Sequence, residues 1–459
     1  MSSLSNRQPT PDEHQVLAAR AAALPLSGGR DDDDDLLRRI GNARFVLLGE
    51  ASHGTHDFYE ARARITLRLI AERGFSAVAI EGDWPDAYRV NRYVRGSGDD
   101  TRPADALLGF RRFPTWMWRN TAVVDFVQQL RDWNDGRPAA SRTGFYGLDL
   151  YSLNASMAAV LDYLEREDPA LASRARGRYA CFEPFGGDSQ VYGLMTGLGS
   201  TPSCEEGVIR TLLELQHRRA RCVADTSPDP EARFDAEQNA SLVRDAERYY
   251  RGMYLSDVSS WNERDTHMAN TLWSLDRHLS RPGRPAKVVV WAHNSHLGDA
   301  SFTEMGQARG ELNLGQIVRE RFAEASWLVG FTTHDGAVTA ATEWDGAAEH
   351  KRVTPSRGDS IEGILHATGV ERFLLPFRDQ PRLSREFEHP LLERAIGVIY
   401  RPETERQSHY FHAQVARQFD ALIHIDRTRA VVPLEADRAW LDGRASHEGE
   451  AAESYPQGL

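Results

Sequence analysis

The chain has 459 residues, 41% of them hydrophobic and 27% charged, with a formal net charge of -12. This balance is typical of a soluble globular protein with a sizeable core, and the negative charge disfavours nucleic acid as a partner. No apolar run approaches the ~20 residues that span a bilayer, and the amino terminus has no secretion signal. We therefore expect a cytoplasmic protein without a membrane or nucleic-acid partner. A small-molecule substrate and a monomer or weak homodimer are separate expectations.

The cysteines and the acidic run have simple interpretations. Cys181, Cys204 and Cys222 are far apart and show no CxxC or zinc spacing, which argues against a disulfide framework or a structural zinc site. We expect these three residues to be small buried hydrophobes. The run from Asp31 to Asp35 precedes an apolar segment, and consecutive acids at a helix start are usually solvated.

One stretch, Arg44 to His56, has the features of a functional loop. Its apolar run ends at Leu48 without alternation, which is typical of a strand buried on both faces and indicates a parallel sheet flanked by helices. Glu50 and His53 follow in a glycine-bounded loop before a helix. Ligands of open α/β sheets bind beyond the carboxyl ends of the strands, so we expect the chemistry at Glu50 and His53.

The next helix, predicted from 57 to 73, carries a charged side chain near its buried stripe. Phe58 and Ile65 recur at helical spacing in this stripe. Arg62 lies about 40° from Phe58 around the helix axis, at the edge of the stripe. Buried arginines are rare unless paired. Arg62 therefore either meets a carboxylate or an anionic intermediate, or forms a structural salt bridge between helix and sheet.

Three further strands are predicted to end in polar residues. They are 77–83 with Glu81 and Asp83, 143–150 with Asp149, and 287–293, which leads into His293 and His296. If the strands are neighbours joined by right-handed crossovers, these side chains share an edge with Glu50 and His53. Such a convergence of polar groups from four strand ends is typical of an active site.

The rest of the chain adds helices and later strands. Residues 103–135 are predicted to be helical and aromatic, with Trp116 and Trp118 as one wall of an apolar cleft. From 154 to 280 only helical periodicity is found, and Arg264 lies there as a salt-bridged residue or a substrate contact. Later strands are predicted at 327–333, 372–377, 395–400 and 421–425.

These elements predict an α/β fold with a mostly parallel central sheet flanked by helices. A large helical insertion forms a second lobe. The predicted boundaries are an amino-terminal extension at 1–35, core at 36–150 and 283–435, the insertion at 151–282, and a tail at 436–459.

Two chemistries suit the polar residues. In the first, neutral His53 accepts a proton from water while a carboxylate fixes its tautomer, and Arg62 or a second histidine stabilises the oxyanion. In the second, histidines and carboxylates ligate a divalent metal that activates water. The sequence contains no HExxH or comparable spacing, which favours the first chemistry, and the GxSxG motif of serine hydrolases is absent.

Several ordered motifs resemble those of the erythromycin esterase family. They are Gly49-Glu-Ala-Ser-His-Gly54, Arg62, Ile80-Glu-Gly-Asp83, Pro114-Thr-Trp-Met-Trp118, Gly144-Phe-Tyr-Gly-Leu-Asp149, Trp261-Asn-Glu-Arg-Asp265, Trp291-Ala-His-Asn-Ser-His296 and the segment 395–409. The resemblance extends over roughly residues 36–435, and so many motifs in one order make a chance match improbable.

The resemblance implies a hydrolase that opens a macrolide lactone ring by attack of water, without a metal or other cofactor. By similarity the general base is His53, and its companions are Glu50, Glu81, Arg62, His293 and His296. We expect substrate contacts at Asp83, Trp116, Trp118, Asp149 and Arg264. Two alternatives stay open. One is a metallohydrolase that uses the three histidines, and the other is a non-catalytic protein that holds haem, a metal or a hydrophobic metabolite in the Trp116 and Trp118 cleft.

Overall fold

The computed structural model describes residues 9–221 and 229–441, so Cys222 and most of the predicted tail lie outside the described residues. The strands in these ranges are β1 (Leu24–Pro25), β2 (Phe45–Leu48), β3 (Ala77–Asp83), β4 (Gly144–Asp149), β5 (Val288–Trp291), β6 (Ser326–Thr332), β7 (Asp335–Ala340), β8 (Glu349–Val353), β9 (Arg372–Pro376), β10 (Leu391–Arg394), β11 (Tyr410–Ala413), β12 (Ala421–Ile425) and β13 (Arg427–Thr428).

The helices of the first half are α1 (Glu13–Ala22), α2 (Asp34–Ile40), α3 (His56–Arg73), α4 (Trp84–Val94), α5 (Pro103–Ala106), α6 (Thr121–Asn134), α7 (Leu153–Glu167), α8 (Pro169–Tyr179), α9 (Ser189–Gly197) and α10 (Glu205–Arg221). Those of the second half are α11 (Pro230–Gly252), α12 (Asp257–Leu279), α13 (Asn294–Leu297), α14 (Glu304–Arg309), α15 (Leu314–Phe322), α16 (Ile361–Ala367), α17 (Pro381–Glu386), α18 (Glu405–Ser408), α19 (Val415–Gln418) and α20 (Arg438–Leu441). None of the described helices combines the length and the apolar composition needed to cross a membrane.

Eight strands form the central sheet, in the order β1-β9-β12-β6-β2-β5-β3-β4. The strands from β12 to β4 are parallel, whereas β9 runs antiparallel to both β12 and β1. The predicted α/β fold with a mostly parallel sheet is therefore confirmed. β2 and β3 are not neighbours, contrary to our assumption, because β5 lies between them. The parallel strands nevertheless all end at the same edge.

Both faces of the central strands are buried because alternate side chains enter two different hydrophobic clusters. Phe45 and Leu47 pack in one cluster with side chains of α7 to α12, and Val46 and Leu48 pack in the other with α3 and α6. Helices on both faces explain why the strand lacks the alternation of a half-exposed strand.

The described part of segment 151–282 contains helices and no strand, in agreement with its helical periodicity. Within it α11 packs against α7, α9, α10 and α12, and α12 also packs against β4. One hydrophobic cluster extends from these helices into the sheet. The segment thus covers one face of the sheet, and α12 brings its side chains to the carboxyl edge.

The predicted strand at 395–400 is wrong. Beyond β10 this segment forms only isolated bridges, one of them between Ile396 and Ser52. The backbone N–H of Ile396 donates to the Ala51 carbonyl at 2.8 Å, and its own carbonyl accepts from the His53 N–H at 3.3 Å. The apolar residues are therefore buried against the loop that follows β2, and not within a sheet.

Three smaller expectations also need correction. Residues 103–135 are helical only at their two ends, because 107–120 forms 3-10 turns and a cis peptide bond at Phe113-Pro114. Cys181 and Cys204 form a disulfide, and Cys181 is exposed. The helices α8 and α9 fold back to join them, which sequence spacing does not indicate. Asp33 is buried rather than solvated, because Arg64 pairs with it at 2.8 Å.

Candidate active site

The four strands β2, β5, β3 and β4 end beside a cavity of about 110 Å³. Of the residues predicted for the site, its lining contains His53, Glu81, Asp83, Trp118, Asp149, Arg264, His293 and His296. Glu50 and Arg62 lie behind His53, and Trp116 is buried in the hydrophobic cluster of α3 and α6. The strand ends that were predicted to meet do lie together. Three of the predicted residues, Glu50, Arg62 and Trp116, do not line the cavity.

A buried chain of polar contacts fixes His53. Its Nδ1 lies 3.0 Å from Oε1 of Glu50, and Nη2 of Arg62 donates to Oε2 of Glu50 at 2.6 Å. Glu50 and Arg62 have no exposed surface, and the Arg62 guanidinium carbon lies 4.4 Å from the ring centroid of Tyr59. Since a carboxylate only accepts hydrogen bonds, the proton of neutral His53 sits on Nδ1 and the lone pair sits on Nε2. Arg62 therefore pairs with a carboxylate and does not contact a ligand in the cavity.

The loop that carries Glu50 and His53 is held by its neighbours. The backbone N–H of Asn294 donates to the Glu50 carbonyl at 2.8 Å, which joins the loops after β2 and β5. The Gly54 carbonyl accepts from the Thr339 N–H at 3.0 Å. A Cβ at Gly54 would overlap the Thr339 carbonyl oxygen, so this close approach of two backbones requires glycine.

His293 presents one ring nitrogen without a partner. The backbone N–H of Ser295 donates to Nδ1 at 3.2 Å. Burial and the neighbouring His53 lower the pKa of His293 well below its usual value, against the opposing effects of Glu81 and the Ala51 backbone. The neutral ring that accepts at Nδ1 carries its proton on Nε2. Among the described residues, this buried Nε2 makes no hydrogen bond within 3.5 Å, so the interaction of the ring with the Ala51 backbone is a weak one.

His296 lies between two carboxylates and an indole ring. Its Nδ1 is 2.9 Å from Oδ2 of Asp265, and its Nε2 is 3.3 Å from Oε1 of Glu81. The ring stacks on Trp261, with centroids 4.6 Å apart and planes inclined by 10°. Burial alone lowers the pKa of His296, but Asp265 and Glu81 outweigh burial and raise it to about 9. His296 is therefore positively charged at neutral pH.

Glu81 connects the three histidines. Its Oε1 lies 4.0 Å from Nε2 of His53, and its Oε2 accepts from the backbone N–H of His293 at 2.8 Å. Burial alone would raise the pKa of Glu81, but His296, His53 and Arg264 hold it well below its usual value. Glu81 therefore keeps its negative charge inside the protein and stabilises the positive charge on His296.

Arg264 joins the helical segment to the strand ends. It donates to Asp149 through Nε at 2.9 Å and Nη2 at 2.7 Å, and to Glu81 through Nη2 at 2.8 Å. Its Nη1 also lies 3.0 Å from Nε2 of His296. Asp83 pairs instead with Arg112 at 2.6 Å. Together with Asp265, which contacts His296, this cluster contains more carboxylates than arginines. A proton on His296 brings the total charge of the cluster closer to zero. The expected salt bridge of Arg264 is thus present, and the same side chain lines the cavity.

The rest of the cavity wall is largely apolar, with Phe110, Phe113, Met117, Trp118, Trp344 and Val398. Trp344 lies in the loop between β7 and β8. Its ring packs edge-on against Phe113, with centroids 4.9 Å apart. Two segments that are distant in sequence therefore meet across the cavity.

Among the described residues, the three histidines are not arranged as a set of metal ligands. Within residues 9–221 and 229–441, no three His, Cys, Asp or Glu side chains are arranged to hold a metal ion. Nδ1 of His293 is bonded to Ser295 and Nδ1 of His296 to Asp265. The geometry gives the metallohydrolase interpretation no ligand set in the described part of the chain.

Several residues that contact this site were not predicted from the sequence, among them Arg112, Trp261, Asp265, Ser295 and Trp344. Trp261 and Asp265 stand in the same motif as Arg264, so the family resemblance contained a signal for them. Ser295 lies between the two histidines in sequence. Arg112 and Trp344 have no local signal, because only tertiary packing brings their segments to the cavity.

The chain matches known proteins over most of its length. The family model described as erythromycin esterase matches residues 70–428. Erythromycin esterase type II from Escherichia coli is 21% identical over 430 residues, which cover 87% of this chain and 93% of the relative.

Two solved structures share the fold. A succinoglycan biosynthesis protein superposes with a TM-score of 0.75 at 22% identity, covering 94% of this chain and 100% of the other. An erythromycin esterase with a histidine-to-asparagine substitution, in its open conformation, superposes with a TM-score of 0.62 at 18% identity, covering 86% and 93% of the two chains.

Proposed function

This chain belongs to the erythromycin esterase family and is an esterase-like hydrolase, and we propose that it cleaves a carboxylic ester or lactone by metal-independent attack of water that His53 activates. The observation that carries the proposal is the buried contact chain Arg62, Glu50, His53. It leaves Nε2 of His53 as the proton acceptor on the cavity side.

In the first step, Nε2 of His53 takes a proton from water, and the resulting hydroxide attacks the carbonyl carbon. Glu50 accepts the hydrogen bond from Nδ1 and stabilises the imidazolium that forms. Arg62 holds the Glu50 carboxylate in place through its hydrogen bond. Arg62 is thus a positioning residue for the base, because it touches Glu50 and not the cavity.

The attack places negative charge on the carbonyl oxygen, and we assign its stabilisation to His293. This side chain is neutral, carries its proton on Nε2 and lines the cavity without a partner for that proton. A preorganised donor in a site shielded from water stabilises an oxyanion at little reorganisation cost. A neutral imidazole can serve as this donor.

When the carbon–oxygen bond of the tetrahedral intermediate breaks, the leaving alkoxide needs a proton. Protonated His296 is the side chain we assign to this step, because Asp265 and Glu81 keep it charged. The products are a carboxylic acid and an alcohol, or one hydroxy acid when the substrate is a lactone. The proton left on His53 returns to His296 through solvent and restores both groups.

The cavity bears on the size of the substrate. Its volume of about 110 Å³ is below the ~300–1,000 Å³ of sites that enclose drug-sized ligands. A small ester fits as the cavity stands, whereas a macrolide requires the contact between Trp344 and Phe113 to open. Macrolides are worth testing because two relatives are named erythromycin esterases.

The test is hydrolysis of erythromycin, of small lactones and of simple esters, each with and without a chelator, followed by mass spectrometry as the gain of one water. We expect turnover that is insensitive to the chelator and absent in His53→Gln, with the variant folded by circular dichroism. Loss of activity on chelation would overturn metal independence. Full activity of His53→Gln would overturn the assigned base.

Two expectations from the sequence remain part of this proposal. We expect a small molecule to be the only partner needed for activity, and we expect the enzyme to act in the cytoplasm. The disulfide between Cys181 and Cys204 makes the second expectation testable, because disulfides are rare in cytosolic proteins. Thiol labelling of protein from rapidly quenched cells would report whether this pair is oxidised there.

A further inference from the structure

A second cavity lies among the helices of the inserted segment. Its volume is about 380 Å³. α10, α11, α12 and α15 supply its lining, and it shares no residue with the cavity at the strand ends. We call it the helical cavity.

The helical cavity lies towards the opposite end of the sheet from the active site. Arg321 and Phe322 of its lining stand at the end of α15, shortly before β6 begins. Asp276 of the lining is ion-paired with Arg44, which directly precedes β2. The cavity is therefore near the amino ends of the strands, whereas the histidines follow the carboxyl ends. It is a separate site, and it does not extend the catalytic one.

Positive charge predominates in the helical cavity. Arg244, Arg277 and Arg321 line it, together with Asp245 and Asp276. Both acids already have arginine partners, Arg244 for Asp245 and Arg44 for Asp276. Burial alone would raise the pKa of Asp245, but His267 and Arg244 lower it to about 2. Asp245 is thus negatively charged at neutral pH and is ion-paired with Arg244.

Arg277 and Arg321 differ from the paired arginines. Within residues 9–221 and 229–441, neither has a carboxylate within salt-bridge distance. Arg277 donates to Ser274, and the Arg321 guanidinium carbon lies 4.6 Å from the ring centroid of Trp273. Both side chains are exposed. A guanidinium that rests against an aromatic ring and has no carboxylate partner keeps N–H groups available for an oxyanion.

Apart from Trp273 and Phe322, the remaining lining is polar and suits hydroxyl groups. It contains the amides of Gln216, Gln238 and Asn270 and the hydroxyls of Ser241, Thr271 and Ser274. One wall is built on a buried pair, since Nδ1 of His267 lies 2.8 Å from Oδ2 of Asp245. These groups can donate and accept hydrogen bonds with a polyol.

We propose that the helical cavity binds a small hydroxylated oxyanion, with its phosphate or carboxylate between Arg277 and Arg321. The protein as a whole has a net charge of -12, so a cavity with two unmatched arginines stands out as a place where an anion is attracted. One helix, α12, carries residues of both sites, His267 and Thr271 here and Arg264 and Asp265 there. The proposal does not depend on ester hydrolysis.

The experiment measures binding of three matched probes, glucose 6-phosphate, gluconate and glucose, to the full-length protein by isothermal titration calorimetry. The variants are Arg321→Gln and Arg277→Gln. The matched control is Arg210→Gln, because Arg210 is an exposed arginine of α10 that does not line the cavity. Melting temperatures without probe report whether each variant is folded. The same titrations on His53→Gln separate this site from the catalytic one.

We expect saturable binding of glucose 6-phosphate, gluconate or both, no binding of glucose, and a dissociation constant about tenfold higher in each cavity variant. Arg210→Gln and His53→Gln should bind like the wild type. Preference between the two anions identifies the group as phosphate or carboxylate. Failure of both anions to bind, equal binding of glucose, or equal weakening in Arg210→Gln would overturn the proposal.

Discussion

Asp265→Asn tests whether His296 is the charged acid of the site. Asp265 is fully buried and bonds both Nδ1 of His296 and the backbone N–H of Leu314, the latter at 2.8 Å. Asparagine can still accept from Leu314, so the backbone contact survives. Its amide cannot offer a negative charge to the imidazole. We expect the pKa of His296 to fall from about 9 towards or below the ordinary histidine value of about 6.5.

The size of the effect on stability follows from the raised pKa of His296. The difference between about 9 in the folded protein and about 6.5 in the unfolded chain corresponds to roughly 3 kcal/mol of stability, which Asp265 shares with Glu81. Because the folded pKa is the higher one, this stabilisation is complete below about pH 6.5 and is lost as the pH rises through about 9. Asp265→Asn should therefore lower the free energy of unfolding most at acidic pH.

The assay is the pH profile of kcat/KM for any ester that the enzyme cleaves, with urea denaturation at about pH 6 and about pH 10 as the second readout. We expect the alkaline limb to move towards acid by more than about one pH unit. Asp299→Asn is the control, because Asp299 is similarly buried but bonds Ser301 and not a histidine. An alkaline limb that stays in place in Asp265→Asn would refute the assignment of His296 as the acid.

Three further changes have defined outcomes. Glu50→Gln leaves the Arg62 charge buried without its partner and should lower the free energy of unfolding by about 3–5 kcal/mol, measured by urea denaturation, while activity is lost. Trp344→Ala should lower KM for bulky lactones and leave kcat for a small ester unchanged. Equal effects on both substrates would contradict the proposal that the contact between Trp344 and Phe113 limits access to the cavity. Gly54→Ala pushes a methyl group against the Thr339 backbone and should cost about 3 kcal/mol, visible as a lower melting temperature, and a variant as stable as the wild type would contradict the contact.

The sequence predicted those parts of the fold that depend on local burial. Phe45 to Leu48 are apolar at every position because helices cover both sides of β2. These four residues were enough to predict a strand buried on both faces. The polar residues that follow such strands were located correctly because parallel strands all end at one edge. The order of the strands could not be predicted. β5 lies between β2 and β3 in the sheet, but it follows the long helical segment in sequence.

The parts of the site that the sequence did not predict depend on tertiary contacts. Asp265 reaches His296 because α12 packs against the sheet, and no spacing between the two residues indicates this. Arg62 was correctly placed near the buried stripe of its helix, but its partner could not be chosen between a carboxylate and an intermediate. The apolar run at 395–400 read as a strand because residues buried beneath a loop have the same composition as residues in a sheet.

The position of β5 has a consequence for synthesis of the protein on the ribosome. β2 pairs only with β5 and β6, which begin at Val288 and Ser326. The strand that precedes the His53 loop therefore has both edges unpaired until well over half of the chain has been made. Exposed strand edges invite pairing with other chains, so the nascent amino-terminal half is the stage most in need of a chaperone. A protein split before β5 should regain its sheet only when the two fragments are produced together.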